Sequence, residues 1–524
     1  MTHLTAAITV ESLEQALADG AKAAERGADL VEYRIDRFTD DPKAVTELVQ
    51  RSALPCIITC RPTWEGGAYD GDEQTRISVL EHAGLGPRKP AYIDLELKAW
   101  QASANLRQKV SLVVDDPDRP RRTDTGLILS SHDFQSRPSD LLRKVQEMAE
   151  APLCRVIKVA WQARSLRDNL EAFDLIRQQL KPTIALCMGE YGLASRVLAK
   201  KFGAFLTFAA LDEGSGTAPG QPTLEQIKRL YRWDAIDRDT RVYGVIGFPV
   251  GHSMSPPVHN AGFDATGVNA VYLPMPIPPE YEHFKATVSS WLGMEPLHFR
   301  GASVTIPHKA NLLRFVKEQG GAVEPLADRI GAANTLAVRE DGSLYACNTD
   351  YAAALDAVCD GLSIQREELR GKRVAVIGAG GAARAVAAGF GECGASVTVY
   401  NRTLDKAKAL ADQFGAESAA MDALADSRAD VYINCTPIGM HPNPDASPMD
   451  GMSDSLSPGV VVFDTIYNPI RTKLLRDAER AGCVTIPGTE MFVRQGAAQF
   501  ELWTGRSAPL DVFRKTLEAH LSQQ

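Results

Sequence analysis

Lys158 is the first residue whose setting suggests covalent chemistry. It lies in the strand-like run R-V-I-K-V-A-W, on the face shared by Val156 and Ala160. A lysine held among apolar side chains loses solvation of its charged form, so its pKa falls from about 10.4 and a neutral amine can attack a ketone. The resulting iminium acidifies the neighbouring carbon. His132, near the end of L-S-S-H-D-F, carries an imidazole, a group that ordinarily titrates close to working pH and suits a general base and acid, with Glu96 of I-D-L-E-L to fix its tautomer. Arg34, Arg61 and Arg196 are cations for a carboxylate, and Glu32 alternates with Arg34 in V-E-Y-R-I-D so that both face one side. Taken singly, Lys158 also reads as an ion-paired strand lysine and His132 as a core histidine. Their convergence at strand ends is what points to a site.

A second set of residues follows the run R-V-A-V-I. There Gly378, Ala379, Gly380, Gly381 and Ala382, with Ala383, form a GxGxxA turn leading into a helix of small residues. Such a turn lets backbone close on a pyrophosphate, which the N–H groups of the helix start then hold. The next strand-like run ends at Tyr400, with Asn401, Arg402, Thr403 and Lys406 after it. An NAD enzyme places Asp or Glu there, whereas a cationic, hydroxylic cluster accommodates a 2′-phosphate, so NADP is expected over NAD. The alternative is a solvated helix start. Upstream lie Ser253 and Ser255 in G-H-S-M-S-P-P, Thr305 and Lys309 in S-V-T-I-P-H-K, Asn334 in G-A-A-N-T and Asp350 in C-N-T-D. Two serines at i and i+2 can donate to one carboxylate. Lys309 and Asp350 form an acid/base couple able to move a hydroxyl proton while hydride passes to a nicotinamide. Turn hydroxyls and a surface ion pair are the alternatives for each of these residues alone.

These groups need a frame, and the sequence supplies a βα rhythm. Eight apolar runs, Ala6 to Val10, Leu30 to Asp36, Cys56 to Arg61, Ala91 to Leu97, Gly126 to His132, Val156 to Trp161, Thr183 to Gly189 and Phe205 to Leu211, alternate with amphipathic stretches. That pattern predicts a (β/α)8 barrel, whose active sites lie at the C-terminal ends of its strands. Val110 to Val114 is a ninth run, either an extra strand or part of a long connection with Asp115 to Asp124. After a helix-like stretch from Leu224 to Tyr231 and a polar connector, Arg232 to Thr240, a second α/β region opens at Arg241. A third opens with the strand before the glycine turn. The expected domains are a barrel over 1–235, a substrate-binding domain over 241–348, a nucleotide-binding domain over 349–490, and C-terminal helices over 491–524 that return to the substrate domain.

Composition narrows the function further. The 524 residues carry 57 Lys and Arg against 66 Asp and Glu, a net charge of −9, which argues against nucleic-acid binding over a broad basic surface. No apolar run is long enough to span a membrane. Nine scattered cysteines without a CxxC pair suggest neither a disulfide framework nor a metal site, and fit a reducing cytoplasm. Acidic Glu11 and Glu14 stand where a signal peptide would need an apolar core.

The motifs V-E-Y-R-I-D, I-T-C-R-P-T-W-E-G-G, I-D-L-E-L, S-S-H-D-F, V-I-K-V-A, M-G-E-Y-G-L-A-S-R and T-A-P-G-Q, in this order, resemble type I 3-dehydroquinate dehydratase. The resemblance implies a Lys158 imine with 3-dehydroquinate, His132 assisting imine formation, breakdown and syn elimination of water, and Glu96 oriented toward His132. It also implies substrate contacts from Glu32, Arg34, Arg61, Arg196 and Gln221, with Thr217 where the family usually has Ser. The second half, with N-C-T-P-I-G-M, F-D-T-I-Y-N-P and G-T-E-M-F-V-R-Q-G-A-A-Q-F, is similar to shikimate dehydrogenase. That similarity implies Lys309 and Asp350 as the catalytic pair and Ser253, Ser255, Thr305, Asn334, Tyr467, Gln495 and Gln499 as substrate contacts. It also places Thr436, Gly488 and Met491 beside the glycine turn and the Asn401 to Lys406 cluster in an NADP(H) site, with no metal.

Dehydratase followed by dehydrogenase is the order of two consecutive shikimate-pathway steps, and resembles the fused enzymes of plants. The expected substrates are 3-dehydroquinate and 3-dehydroshikimate, with shikimate as product. No transit-like extension precedes the first strand, and a cytoplasmic location follows. Two alternatives stand: quinate specificity in the second half, or a metabolite sensor of the quinate-repressor kind. The presence of Lys158, His132, Lys309 and Asp350 weighs against the sensor.

Overall fold

The computed structural model describes residues 2–115, 124–451 and 455–522. They form two compact units: one runs to Arg241 and takes in Met275–Ile277 and Ala286–His298, and the other holds the rest of the chain from Val242 onward.

In the first unit the eight apolar runs become eight parallel strands: β1 (His3–Thr9), β2 (Leu30–Arg34), β3 (Cys56–Thr59), β4 (Tyr92–Glu96), β5 (Gly126–Asp133), β6 (Cys154–Gln162), β7 (Thr183–Met188) and β8 (Leu206–Ala210). Neighbours in sequence pair in space from β1 to β7, and β1 also pairs with β8. The Phe205 N–H donates to Thr183 O at 2.9 Å, drawing the start of β8 to β7 and nearly closing the barrel. Helices between the strands start where the side chains of Ser12, Asp41 and Asp72 accept first-turn N–H groups. Strand alternation turns Ala7, Ile57, Ile128, Val156, Ile184 and Leu206 into one buried interior cluster. One residue pair further along, β4, β5 and β6 hold Asp94, Ser130 and Lys158 on the same inner face, with Ser130 opposite Lys158 in register. Val110 to Val114 is not a strand: Val110 ends the helix Ala104–Val110 and the next residues form a turn. Of the connection that follows, 116–123 lie outside the described residues.

The second unit contains two sheets. The first orders its strands β10-β9-β11-β13-β14-β12, with β9 (Arg241–Gly247), β10 (Ala270–Pro276), β11 (Phe299–Val304), β12 (Ala322–Val323), β13 (Thr335–Val338) and β14 (Leu344–Cys347). It is mixed, since β9 and β11 run parallel while β13 pairs antiparallel with β11 and β14. The helices Gly488–Thr504 and Leu510–Leu521 supply Phe500, Trp503, Phe513 and Leu517 to a core shared with Tyr243, Phe263 and Tyr272. The second sheet is wholly parallel in the order β17-β16-β15-β18-β19-β20, from β15 (Arg373–Ile377), β16 (Ser396–Asn401), β17 (Glu417–Ala420), β18 (Val431–Asn434), β19 (Val461–Asp464) and β20 (Val484–Ile486). This is the nucleotide-binding order whose direction reverses between β15 and β18, where the strand ends leave a ligand crevice.

All nine cysteines are unpaired, and burial pushes every thiol above its ordinary value, to about 12 at Cys56 and Cys347 and about 11 at Cys154 and Cys359. Among the described residues no helix is long and apolar enough to cross a membrane.

Candidate active sites

The barrel interior ends in a small cavity of about 50 Å³ bordered by Glu32, Arg34, Arg61, Glu65, His132, Lys158, Arg196, Thr217 and Gln221. Lys158 is not in an apolar shell. Its Nζ donates to Asp94 Oδ2 at 2.8 Å and Glu32 Oε1 at 3.2 Å, and lies 4.5 Å from the Phe208 ring centroid. Asp94 also accepts from Arg61 at 2.7 Å and Ser130 at 2.6 Å. Burial opposes its charge, but Arg61 and Lys158 prevail and hold it well below the usual carboxylate range.

The carboxylate on His132 is Glu65, where the sequence reading expects Glu96. Glu65 Oε1 accepts the His132 backbone N–H at 2.8 Å and lies 3.2 Å from Nδ1. Glu96, fully buried, is held by Arg61 at 2.5 Å and by Arg76, from the helix Glu73–Ala83, at 2.8 Å. Two guanidiniums claim it, so it orients Arg61 and leaves the histidine to its rival. Burial pushes the Glu65 carboxyl up to about 7 despite Arg61, while burial, Arg61 and Lys158 push His132 well below its ordinary value. The imidazole is neutral at pH 7 and can accept a proton.

The remaining predicted contacts divide into held and unheld groups. Arg34 is gripped by Asp36 through two bonds, at 2.7 and 3.2 Å. Asp36 also accepts the N–H groups of Arg61 and Ala68, tying the loop that carries Glu65 to the end of β2. Arg196, 2% exposed, has no ion-pair partner among the described residues, and burial pushes its guanidinium down to about 10. Gln221 accepts from Thr217 N at 2.9 Å while its buried Nε2 lacks a partner. Unpaired buried donors are costly unless a ligand completes them. Glu65, Asp94 and Ser130 went unread in the sequence, although Glu65 lies in the quoted W-E-G-G and Asp94 shares Glu96's face by alternation.

The second unit holds a larger cavity of about 420 Å³. Lys309 opens the helix Lys309–Glu318, and Asp350 lies in the first turn of Thr349–Leu362, where Asn348 caps its N–H at 3.0 Å. The Lys309 Nζ to Asp350 Oδ2 distance is 2.6 Å, and Asn334 Nδ2 donates to Asp350 Oδ1 at 2.9 Å. Ser253, Ser255, Thr305, Tyr467, Gln495 and Gln499 border the same space, as do Ala382, Gly488 and Met491. Ser253 Oγ accepts the Ser255 N–H at 3.2 Å, fixing the two serines in one loop.

The glycine turn distinguishes glycines kept for the chain from glycines kept for a ligand. Gly378 has φ +111°, and a Cβ there would meet Thr436 and Cys435 at 3.0 to 3.2 Å. At Gly380 and Gly381 a Cβ would meet nothing within 4 Å, and Gly380 has φ −87°. Nothing among the described residues requires glycine at these two positions, whereas a pyrophosphate lying on the N-terminus of Gly381–Glu392 would. Gly488 is a packing glycine, since a Cβ there would strike Ile466 O at 2.3 Å. Thr436 Oγ1 donates to Asn434 Oδ1 at 2.7 Å at the end of β18, beside the turn. Asn401 Nδ2 donates to Thr403 O, and Arg402, Thr403 and Lys406 are exposed. Arg402 and Lys406 make no ion pair among the described residues, leaving both cations free for an anion at the end of β16.

Models of known families match the chain in the same order. A type I 3-dehydroquinase matches 4–238, a shikimate dehydrogenase substrate-binding domain 245–336, a shikimate/quinate 5-dehydrogenase 362–439, and a shikimate 5′-dehydrogenase C-terminal domain 488–518. The chloroplastic bifunctional 3-dehydroquinate dehydratase/shikimate dehydrogenase of Arabidopsis thaliana is 38% identical over 97% of this chain and 83% of its own length. The shikimate dehydrogenase (NADP+) of Methanosarcina mazei is 42% identical over 53% of this chain and 97% of its own. A shikimate 5-dehydrogenase structure from Thermus thermophilus with NADP(H) and shikimate is 32% identical over 53% of this chain and 99% of its own, with a TM-score of 0.47.

Proposed function

The chain belongs to the bifunctional 3-dehydroquinate dehydratase/shikimate dehydrogenase family, and from that we propose how its residues divide the two reactions, over 1–235 for the first and 241–524 for the second. The observation that carries the dehydratase reading is Lys158 facing the same cavity as a neutral His132 and an unpaired Arg196. Arg196 binds the carboxylate of 3-dehydroquinate, placing the ketone at Lys158 Nζ. The amine adds to the carbonyl carbon and water leaves as the imine forms. His132 removes the proton alpha to the iminium carbon and delivers it to the departing β-hydroxyl. A second water then hydrolyses the imine, releasing 3-dehydroshikimate and restoring the amine. Glu65 keeps the imidazole in position through both proton transfers.

In the second unit Ser253 and Ser255 hold the carboxylate of 3-dehydroshikimate, and Lys309 gives a proton to the ketone oxygen while Asp350 orients the lysine. NADPH, when bound, supplies the hydride. Gly380 and Gly381 admit its pyrophosphate, and the unpaired Arg402 and Lys406 favour the 2′-phosphate, so the expected product is shikimate at the expense of NADPH. Nine unpaired thiols suit a reducing, cytoplasmic setting.

The test is NADPH absorbance after adding 3-dehydroquinate alone. Wild type should consume NADPH, and Lys158→Ala and Lys309→Ala should not. Given 3-dehydroshikimate, Lys158→Ala should recover and Lys309→Ala should stay inactive. Failure of Lys158→Ala to recover would overturn the division of labour. Pocket size near Ser255 and Thr305 decides whether the extra hydroxyl of quinate fits, and Ser253 and Ser255 favour shikimate, which kcat/KM for the two acids checks.

A further inference from the structure

The polar groups behind Asp350 continue well beyond Asn334. Asn334 Oδ1 accepts the Thr349 N–H at 2.8 Å and Thr335 Oγ1 at 2.7 Å, while its Nδ2 donates to Thr349 Oγ1 at 3.0 Å and Asp350 at 2.9 Å. The backbone N–H can only donate, so it fixes which end of the amide faces Asp350. Behind Thr335, Gln499 Nε2 donates to Thr335 Oγ1 at 3.0 Å and to Asn334 O at 3.3 Å, and its Oε1 accepts from Ser303 Oγ at 2.7 Å. Ser303 in turn lies 2.6 Å from Tyr272 OH. Each hydroxyl has one proton, so a single assignment satisfies all of them. Tyr272 donates to Ser303, Ser303 to Gln499, Gln499 to Thr335, Thr335 to Asn334, and Asn334 to Asp350.

All five members upstream of Asp350 are buried, with Tyr272 and Thr335 at 0% exposure and Gln499 at 1%. Against Tyr272 stacks His259, 4.5 Å between centroids, whose imidazole burial pushes down to about 3 and so keeps neutral. The links come from four places: β10, β11, the start of β13 and the helix Gly488–Thr504. In a low-dielectric interior each donor in a one-way chain polarises the next. Both Nε2 hydrogens of Gln499, and every hydrogen-bonding position of Asn334, are already used. Neither amide has a hydrogen left to give a ligand, although both border the cavity.

We infer that Thr335, Gln499 and Ser303 are positioning residues for Asp350: a one-way hydrogen-bond chain through them aims the Asn334 amide at one carboxylate oxygen and leaves the other to Lys309. The inference rests on the proposed Lys309–Asp350 acid/base pair. It replaces direct substrate contact as the role of Gln499. A chain of this kind acts on proton movement, so its loss should appear in kcat, whereas a lost substrate contact appears in KM.

The test uses full-length protein and shikimate oxidation by NADP+. Thr335→Val keeps the shape and removes the hydroxyl. Its kcat should fall about tenfold, the equivalent of roughly one hydrogen bond. KM for shikimate and the Kd for NADP+ should remain within about twofold, and Thr335→Ser, which restores the hydroxyl without the methyl, should recover kcat. Ser303→Ala should show the same split to a smaller degree. Wild-type kcat in Thr335→Val, a loss confined to KM, a Thr335→Ser as slow as Thr335→Val, or a weakened NADP+ Kd marking a disturbed fold would each overturn the inference. Lys309→Ala separates the two levels. If it retains turnover the acid/base assignment falls and this inference with it; if it is inactive while Thr335→Val is normal, only the chain's role falls.

Discussion

In the barrel cavity, Glu65 is a group whose charge changes near neutrality. Its carboxyl sits at about 7, whereas His132 is held well below its ordinary value, so between about pH 5 and 8 the proton enters and leaves on the carboxylate and not on the imidazole. The acid limb of the dehydratase kcat/KM should therefore fall near pH 7, and Glu65→Gln should abolish that limb while lowering kcat roughly 10- to 100-fold. The folded carboxyl holds its proton more tightly than an unfolded one at 4.5, so its contribution favours the fold below that value and is lost as pH rises through about 7. Glu65→Gln should thus raise the thermal midpoint at pH 8, by an equivalent of roughly 3 kcal/mol at most, and leave it unchanged near pH 4. Arg196 obeys a similar logic. Its burial without a partner costs stability in the free protein, so Arg196→Met should raise the Tm of the free enzyme while raising KM for dehydroquinate by about 100-fold. A rise in KM without a rise in Tm would mean that the guanidinium is paired. Residues on strands were readable because alternation assigns their face. Glu65 was not, because it sits on the short turn Thr63–Glu65, where no period assigns a direction, and the partner of Glu96 was not, because Arg76 reaches it from the preceding helix and strand alternation says nothing of where a helix side chain ends.

At the scale of elements, the glycine turn after β15 separates folding from binding within three residues. Gly378→Ala places a side chain at φ +111° against Thr436 and Cys435 and should destabilise by about 1–3 kcal/mol, read as a lower Tm. Gly380→Ala meets open space and should leave Tm unchanged while weakening NADP+ binding at least tenfold by calorimetry. Equal effects of the two variants on Tm would refute that division. The strands themselves were legible because each of the eight barrel runs is a short apolar stretch such as C-I-I-T, bounded by polar residues and separated by amphipathic helix patterns. Val110 to Val114 defeats the same reasoning. Of its three valines, Val110 ends the helix Ala104–Val110 and Val113 and Val114 lie in the turn after it, at 2%, 3% and 1% exposure, so burial there imitates a strand. The cross-links among loops, such as Asp36 to Ala68, carry no sequence period and became visible only once the strand ends stood together.

For the whole molecule, two sites in one chain imply that each can be silenced without the other. An equimolar mixture of Lys158→Ala and Lys309→Ala should restore NADPH consumption from 3-dehydroquinate after a lag, since the intermediate made by one chain can be reduced by another. A mixture that stays inactive would mean that the intermediate does not leave the chain that makes it. The order of the two activities was legible from motif order, because each motif is a short contiguous run that is read without any long-range contact. The nine thiols lead to a practical end. The thiolate is the reactive form, and burial pushes every thiol here above its ordinary value, so near pH 7 the six buried ones offer alkylating reagents almost no nucleophilic sulfur, and partial exposure is left to Cys393, Cys435 and Cys483. With those three replaced, a cysteine introduced on the surface would take a fluorophore alone, and the protein could be tagged at one chosen point while its six buried thiols stay in place.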